Sequence, residues 1–230
     1  MSRIFSALSV LAVLLLLTNL LLGLLWGDFG TSSQRFQSAR AAYSAMQNAN
    51  DATLATVAEA RAELTRQGER MATQRNRMWP HIWLGIVAAL ITLLVNSISV
   101  TYFIGTARWC AEVVDAYGLD PELAEKSRTL KRRSFPWALS GILTILSIAA
   151  LGAASDPYAS TADPSSWVTL HWLAALAGTA LIGMAFYFQS HAVGANYRVI
   201  ESILEQVAAR RAWAEAASKP VSTPASTTPS

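Results

Sequence analysis

Met78–Ala107 reads MWPHIWLGIVAALITLLVNSISVTYFIGTA, thirty residues without one Asp, Glu, Lys or Arg. A helix needs about 20 mostly apolar residues to cross a bilayer. Three more uncharged runs accompany this one: 4–27, 134–155 and 164–197. Over all 230 residues, 53% are hydrophobic and 14% charged, against roughly 25% charged in ordinary soluble domains. So few charges cannot coat a soluble fold of this length. The sequence predicts an all-α membrane protein with four transmembrane helices. A soluble enzyme, a secreted disulfide scaffold and a nucleic-acid-binding domain are excluded. The single cysteine, Cys110, has no partner for an internal disulfide, and no Cys/His cluster has zinc spacing.

The expected map runs as follows. Residues 1–27 form transmembrane helix 1, read as an uncleaved anchor because its apolar run exceeds a signal-peptide core and no A-x-A-like site follows. Residues 28–77 form an extracytoplasmic helical hairpin, and 78–104 transmembrane helix 2. Residues 105–134 form a cytoplasmic helix-turn-helix loop, and 135–154 transmembrane helix 3. A short extracytoplasmic loop spans 155–166, and transmembrane helix 4 spans 167–190. A cytoplasmic amphipathic helix covers 191–217, and a disordered Ser/Thr/Pro-rich tail covers 218–230. Trp26, Trp79, Trp83, Tyr158 and Trp167 gather at span ends, where amphipathic rings favour the headgroup level.

Orientation rests on the basic residues. The 105–134 loop holds Arg108, Lys126, Arg128, Lys131, Arg132 and Arg133, whereas 155–166 holds none. Positive charge stays in the cytoplasm, so both termini are expected inside, in a plasma (bacterial inner) membrane. Seven arginines within 28–77 oppose this bias. Longer translocated segments tolerate such charge.

The hairpin is read from Phe36, Tyr43, Val57, Leu64 and Met71 on a seven-residue spacing. One straight helix over 33–76 would travel roughly 65 Å, yet the chain must be back at the membrane by Pro80. A turn is expected at 47–51, with Asp51 capping the second helix. The apolar stripe is thin, so Phe36, Tyr43, Leu64 and Met71 are taken as a partner surface. The alternative is two helices satisfied by each other. In the inner loop, Gly118 fits a helix C-cap and Asp120-Pro121-Glu122 a helix start. Lys131-Arg132-Arg133 is expected to close that second helix.

Within the spans, small and hydroxyl residues mark close helix contact. Gly85, Asn96, Thr144, Gly178 and Gly183 are the expected packing residues. Spans two, three and four should form the tight core, with the leucine-rich first span peripheral. His81 and His171 lie one turn inside their spans at similar depth. Paired imidazoles can hold haem b, and Gly85 would leave room for a porphyrin face. Ordinary interfacial histidine among tryptophans is the simpler reading.

No catalytic constellation appears and no cofactor is required. The leading reading is a non-enzymatic integral membrane protein, an assembly subunit or sensor-like scaffold acting through helix–helix contacts. Its partners are the lipid bilayer and either another membrane protein or copies of itself. No small-molecule substrate and no nucleic acid is assigned. The alternatives are a b-type cytochrome subunit using His81 and His171, and a small transporter. The transporter reading suffers because no Asp, Glu, Lys or Arg lies inside any span, while ion and proton paths usually carry one.

Overall fold

The structure, a computed structural model, describes residues 2–25, 29–156 and 164–218. Six helices account for them: α1 (Ser2–Leu25), α2 (Phe29–Asn48), α3 (Leu54–Arg77), α4 (Trp79–Ala116), α5 (Pro121–Ala154) and α6 (Pro164–Ser218). Four of these, α1, α4, α5 and α6, are long and apolar enough to cross a membrane, which marks an integral membrane protein. The expected belt residues Trp26 and Tyr158 and the tail 219–230 lie outside the described residues. Ser218, assigned to that tail, ends α6.

The four long helices form an up-and-down bundle. Gly23 of α1 lies against His81 of α4, and Gly152 of α5 against His171 of α6, so each of these pairs runs antiparallel. α4 and α6 run parallel: Asn96 meets Gln189, Tyr102 meets Asn196, and Tyr117 meets Arg211. α1 packs on α4 and α6 and does not touch α5. It is more than peripheral, because Phe5, Ala12 and Leu16 join the same core as Val95, Phe103, Ile145, Ile182 and Phe186. Leu8 and Leu15 pack partly on this core, while Leu11, Leu14, Leu17, Leu21, Leu24 and Leu25 are exposed, as lipid-facing side chains are.

Local chemistry explains the breaks. Gly118 sits at φ 57°, the left-handed region where a Cβ is strained. The Leu119 amide donates to Val114 O at 2.9 Å and closes the end of α4. Asp120 then caps α5, accepting from the Glu122 amide at 2.9 Å, with Pro121 in the first helical position. The expected stop at Lys131-Arg132-Arg133 is wrong: α5 runs on through Pro136 to Ala154. The following run is apolar, and a continuous helix satisfies its backbone where lipid offers no hydrogen bonds. Arg132 is used within the helix, donating to Glu125. Likewise the fourth span and the amphipathic segment are one helix. The 55 residues of α6 run about 82 Å, far beyond a hydrocarbon core of about 30 Å.

Beyond the bundle, α6 packs on the far ends of α4 and α5. Cys110, Val114, Leu119, Leu123, Ala124, Ile203 and Val207 form this second core. Arg210 donates to Gly118 O at 2.9 Å, and Arg211 holds the Tyr117 hydroxyl.

At the other end stands the hairpin α2–α3. Its turn falls at 49–53, two residues later than expected, and Asp51 is not the cap. Thr53 is extended (φ −85°, ψ 156°), accepts from the Thr56 amide, and has its own amide taken by the Thr56 hydroxyl. This reciprocal pair is a capping box. Thr53→Ala is expected to cost the hairpin about 1 kcal/mol, read as faster amide exchange in the first turns of α3. Asp51→Ala should leave that exchange unchanged.

The bundle also repeats itself. Between Ala88 and Phe103 the buried residues of α4 recur on α6 at a constant offset: Ala88 matches Gly178, Thr92 Ile182, Val95 Ala185, Asn96 Phe186, Ser99 Gln189 and Phe103 Val193, whereas Ala107 and Val114 fall opposite the exposed Tyr197 and Leu204. Those of α1 recur on α5: Phe5 matches Ser134, Ser9 Ala138, Ala12 Gly141 and Leu16 Ile145. Any two buried helix faces share a rough period. Here the histidines fix the register independently. His81 bonds Asn19 O on α1 and lies against Gly23, while His171 bonds Ile148 O on α5 and lies against Gly152. In both hairpins the acceptor carbonyl stands four residues before the glycine. The α1/α4 and α5/α6 pairs are therefore structural repeats, and α2–α3 is an addition to the first.

Candidate functional site

The centre of the bundle is polar. Thr92, Asn96, Ser99, Ser127, Ser134, Gln189 and Asn196 are all buried. Gln189 of α6 donates from Nε2 to Asn96 Oδ1 on α4 at 3.1 Å, and Asn96 Nδ2 donates to Thr92 O at 2.9 Å. Asn196 joins three helices. Its Oδ1 accepts from Ser127 Oγ of α5 at 2.7 Å, and its Nδ2 donates to Thr106 Oγ1 at 2.9 Å and to the Tyr102 hydroxyl at 3.2 Å on α4. With no water in the hydrocarbon to compete, such amides choose their neighbours and fix helix register.

Four of the five expected packing residues stand at tight crossings. A Cβ on Gly178 would lie 2.6 Å from Ile148 Cδ1 and 2.8 Å from Thr144 Cγ2. Gly178 and Thr144 therefore meet across α5 and α6. Asn96 occupies the gap beside Gly141, where a Cβ would come 2.8 Å from Oδ1. Gly85 faces Asn19, whose Nδ2 would be 3.1 Å from a Cβ. Gly183 does not belong with them, since nothing lies within 4 Å of its Cβ position. It stands on a face of α6 away from the neighbouring helices.

The histidines are part of the scaffold in this structure. His81 Nδ1 is 3.0 Å from Asn19 O, and His171 Nδ1 is 3.1 Å from Ile148 O. A carbonyl only accepts, so each Nδ1 carries the proton. Each ring lies in the antiparallel seam of its own hairpin, against a glycine. The clearance expected beside Gly85 for a porphyrin face is taken by Asn19. Among the described residues no group of three or more His, Cys, Asp or Glu could hold a metal ion.

The expected partner surface on the hairpin is largely turned inward. Met71 is fully buried, so it offers nothing to a partner. Phe36 packs beside Gly68, its Cε2 3.7 Å from that residue's Cβ position. Tyr43 and Leu64 are half-buried, and the Tyr43 hydroxyl accepts from Gln47 Nε2 at 2.9 Å. A thin stripe suffices here because the hairpin also leans on the bundle: Gly30 lies against Val168, and Arg75 pairs with Asp156 at 3.3 Å. The exposed apolar groups sit at its tip, Met46 and above all Leu54, 92% exposed. On α3, hydrogen bonds from Gln67 and then Arg66 hold the Glu63 carboxyl below its ordinary range.

Two shallow open grooves flank these elements. One lies between α5 and α6 beside Glu122, Lys126 and Arg198, the other on the hairpin beside Gln34, Arg35 and Glu63. Neither encloses a ligand. Sequence reading missed Gln189, Asn196, Ser127 and Asn19 as interface residues. The signal was present: an uncharged amide within or just beyond an apolar run has few partners except across a helix contact.

No protein-family model, no curated protein and no solved structure matches this chain. Its class is set by its own geometry: an integral membrane four-helix bundle of two repeated hairpins.

Proposed function

We propose that this is a non-enzymatic, sensor-like scaffold of the bacterial inner membrane, which couples an extracytoplasmic hairpin to a cytoplasmic helical layer. The observation that carries the reading is the junction at Met78. Met78 ends α3 and begins α4 in the right-handed helical conformation (φ −84°, ψ −5°). The hairpin is thus joined to the 38-residue helix α4 by one helical residue, with no flexible linker. A displacement of α3 must turn or tilt α4, and α4 packs on α6 in the second core.

Orientation follows from the basic loop, with 105–134 and both termini in the cytoplasm. An impermeant thiol reagent tests it: Ser160→Cys is expected to react in intact spheroplasts, and reaction only after lysis overturns the orientation. Cys110 adds little background, because it is buried and out of reach of the reagent.

The scaffold reading places a partner on the hairpin tip. Affinity purification in mild detergent with mass spectrometry tests it. Met46→Ser with Leu54→Ser should release a partner that the unaltered protein retains, while α2–α3 stays protease-resistant. A protein that purifies alone and monomeric sinks the reading.

A further inference from the structure

Asn19 Oδ1 at the α1/α4 seam and four polar atoms of α4, α5 and α6 are buried without a hydrogen-bond partner, the four being Thr92 Oγ1, Ser99 Oγ, Ser134 Oγ and Gln189 Oε1. None of the four residues is more than 2% exposed. Elsewhere in the chain, hydroxyls satisfy themselves by donating to a carbonyl one turn back, as Ser9, Thr101, Thr106 and Ser147 do. The three core hydroxyls make no such bond. Buried polar groups without partners are rare, and within a bilayer no solvent is at hand to relieve them.

Three of these groups share one region. The antiparallel register of α5 and α6, fixed by Gly152 against His171 and by Ser127 on Asn196, sets Ser134 level with Gln189. Asn96 against Gly141 sets Ser99 of α4 level with Ala138 of α5. Ala138 and Ala185, both buried, are the neighbours there. By the same registers Phe103 of α4 stands level with Ser134 and Gln189, and the small residues Ser99, Ala138 and Ala185 stand one turn away, towards Asn96.

We propose that α4, α5 and α6 bind water at this point, between Ser99, Ser134 and Gln189. The donor and acceptor chemistry fits. Gln189 Oε1 only accepts, a hydroxyl can donate or accept, and one water can donate to the amide oxygen while accepting from a serine. The oxygens are all neutral and no carboxylate stands among them, whereas hard cations are held by larger oxygen sets that include carboxylates. The bound water extends the Asn196–Ser127–Tyr102 network towards Asn96. The half of the bundle nearer the α4–α5 turn is then hydrated to its middle.

The test uses the full chain, isotopically labelled, in phosphatidylcholine bilayers. Water-edited solid-state NMR should show transfer from water to the side-chain amide of Gln189, assigned by its loss in Gln189→Leu. The double variant Ser99→Ala with Ser134→Ala should lose that transfer. It should also melt lower, by roughly 2–4 °C for each kcal/mol of stability lost, because the water loses its partners. A folded native bundle without transfer overturns the proposal. So does transfer that persists in the double variant. A rise in melting temperature on removing the two hydroxyls also overturns it, since that is the response of a dry core relieved of orphaned groups.

Discussion

Gly178→Leu is expected to abolish the folded bundle, with a loss of about 3 kcal/mol or more. The first added carbon already collides, at 2.6 Å from Ile148 Cδ1 and 2.8 Å from Thr144 Cγ2. Neither neighbour can retreat easily, because α5 carries both and is itself held between α4 and α6. Relief requires moving the α5/α6 seam apart, which also stretches the His171 bond to Ile148 O. Gly183→Leu on the same helix provides the control, since its Cβ position is open, and should change stability by less than about 0.5 kcal/mol. Leu14→Ala in α1 should be as mild. Leu14 is 55% exposed, and lipid solvates either side chain. Unfolding in mixed micelles, followed by circular dichroism, reads all three. Equal losses at Gly178 and Gly183 would show that the rotation of α6 is misplaced.

Asn196→Ala is expected to cost roughly 2 kcal/mol, from three interhelical bonds at about 0.6 kcal/mol each. Thr106 Oγ1 keeps a second bond, donating to Tyr102 O, so it is not stranded. Ser127, fully buried, donates to Asn196 and also has the Cys110 thiol as a hydrogen-bond partner, so it is not stranded either. A double-mutant cycle of Asn196→Ala with Ser127→Ala therefore measures how much of the loss passes through the Ser127 bond. A double-mutant cycle of Asn196→Ala with Tyr102→Phe isolates one bond and should return a coupling of about 0.6 kcal/mol. No coupling in either cycle would mean that the three helices are not joined at Asn196.

The four spans were legible because charge is absent from them, and absence of charge over 20 or more residues has few other causes. The α4–α5 turn was legible at Gly118 and Asp120-Pro121, where backbone conformation, capping and a missing amide all point one way. Gly178 and Thr144 were found by residue type, but type could not separate Gly178 from Gly183. Span four carries small residues around most of its circumference, so no stripe shows which glycine faces α5. The hairpin was placed correctly and its cap was not. Asp51 and Thr53 are both good capping residues, and Thr56, which reciprocates only with Thr53, decided between them. Asn196 went unnoticed because it lies beyond the assigned end of the span, on a helix that does not stop there. The repeat was hidden for another reason. Beyond the paired His81 and His171, α4 and α6 share few side chains, and the likeness lies in which positions are covered.

Two like hairpins closed around one axis amount to a dimer written into a single polypeptide. Had the halves been separate copies, every substitution would fall on both, and an appendage between the first and second helices would appear twice, once on each side of the axis. Covalent joining removes both constraints. Asn19 and Ile148 hold equivalent places with different side chains, while their backbone carbonyls keep the same task. The extra pair α2–α3 occurs once. The stoichiometry is therefore one hairpin to one bundle, and the membrane-proximal face on that side is lopsided. Whatever meets that face meets a monovalent, handed surface, so it can distinguish one half of the molecule from the other.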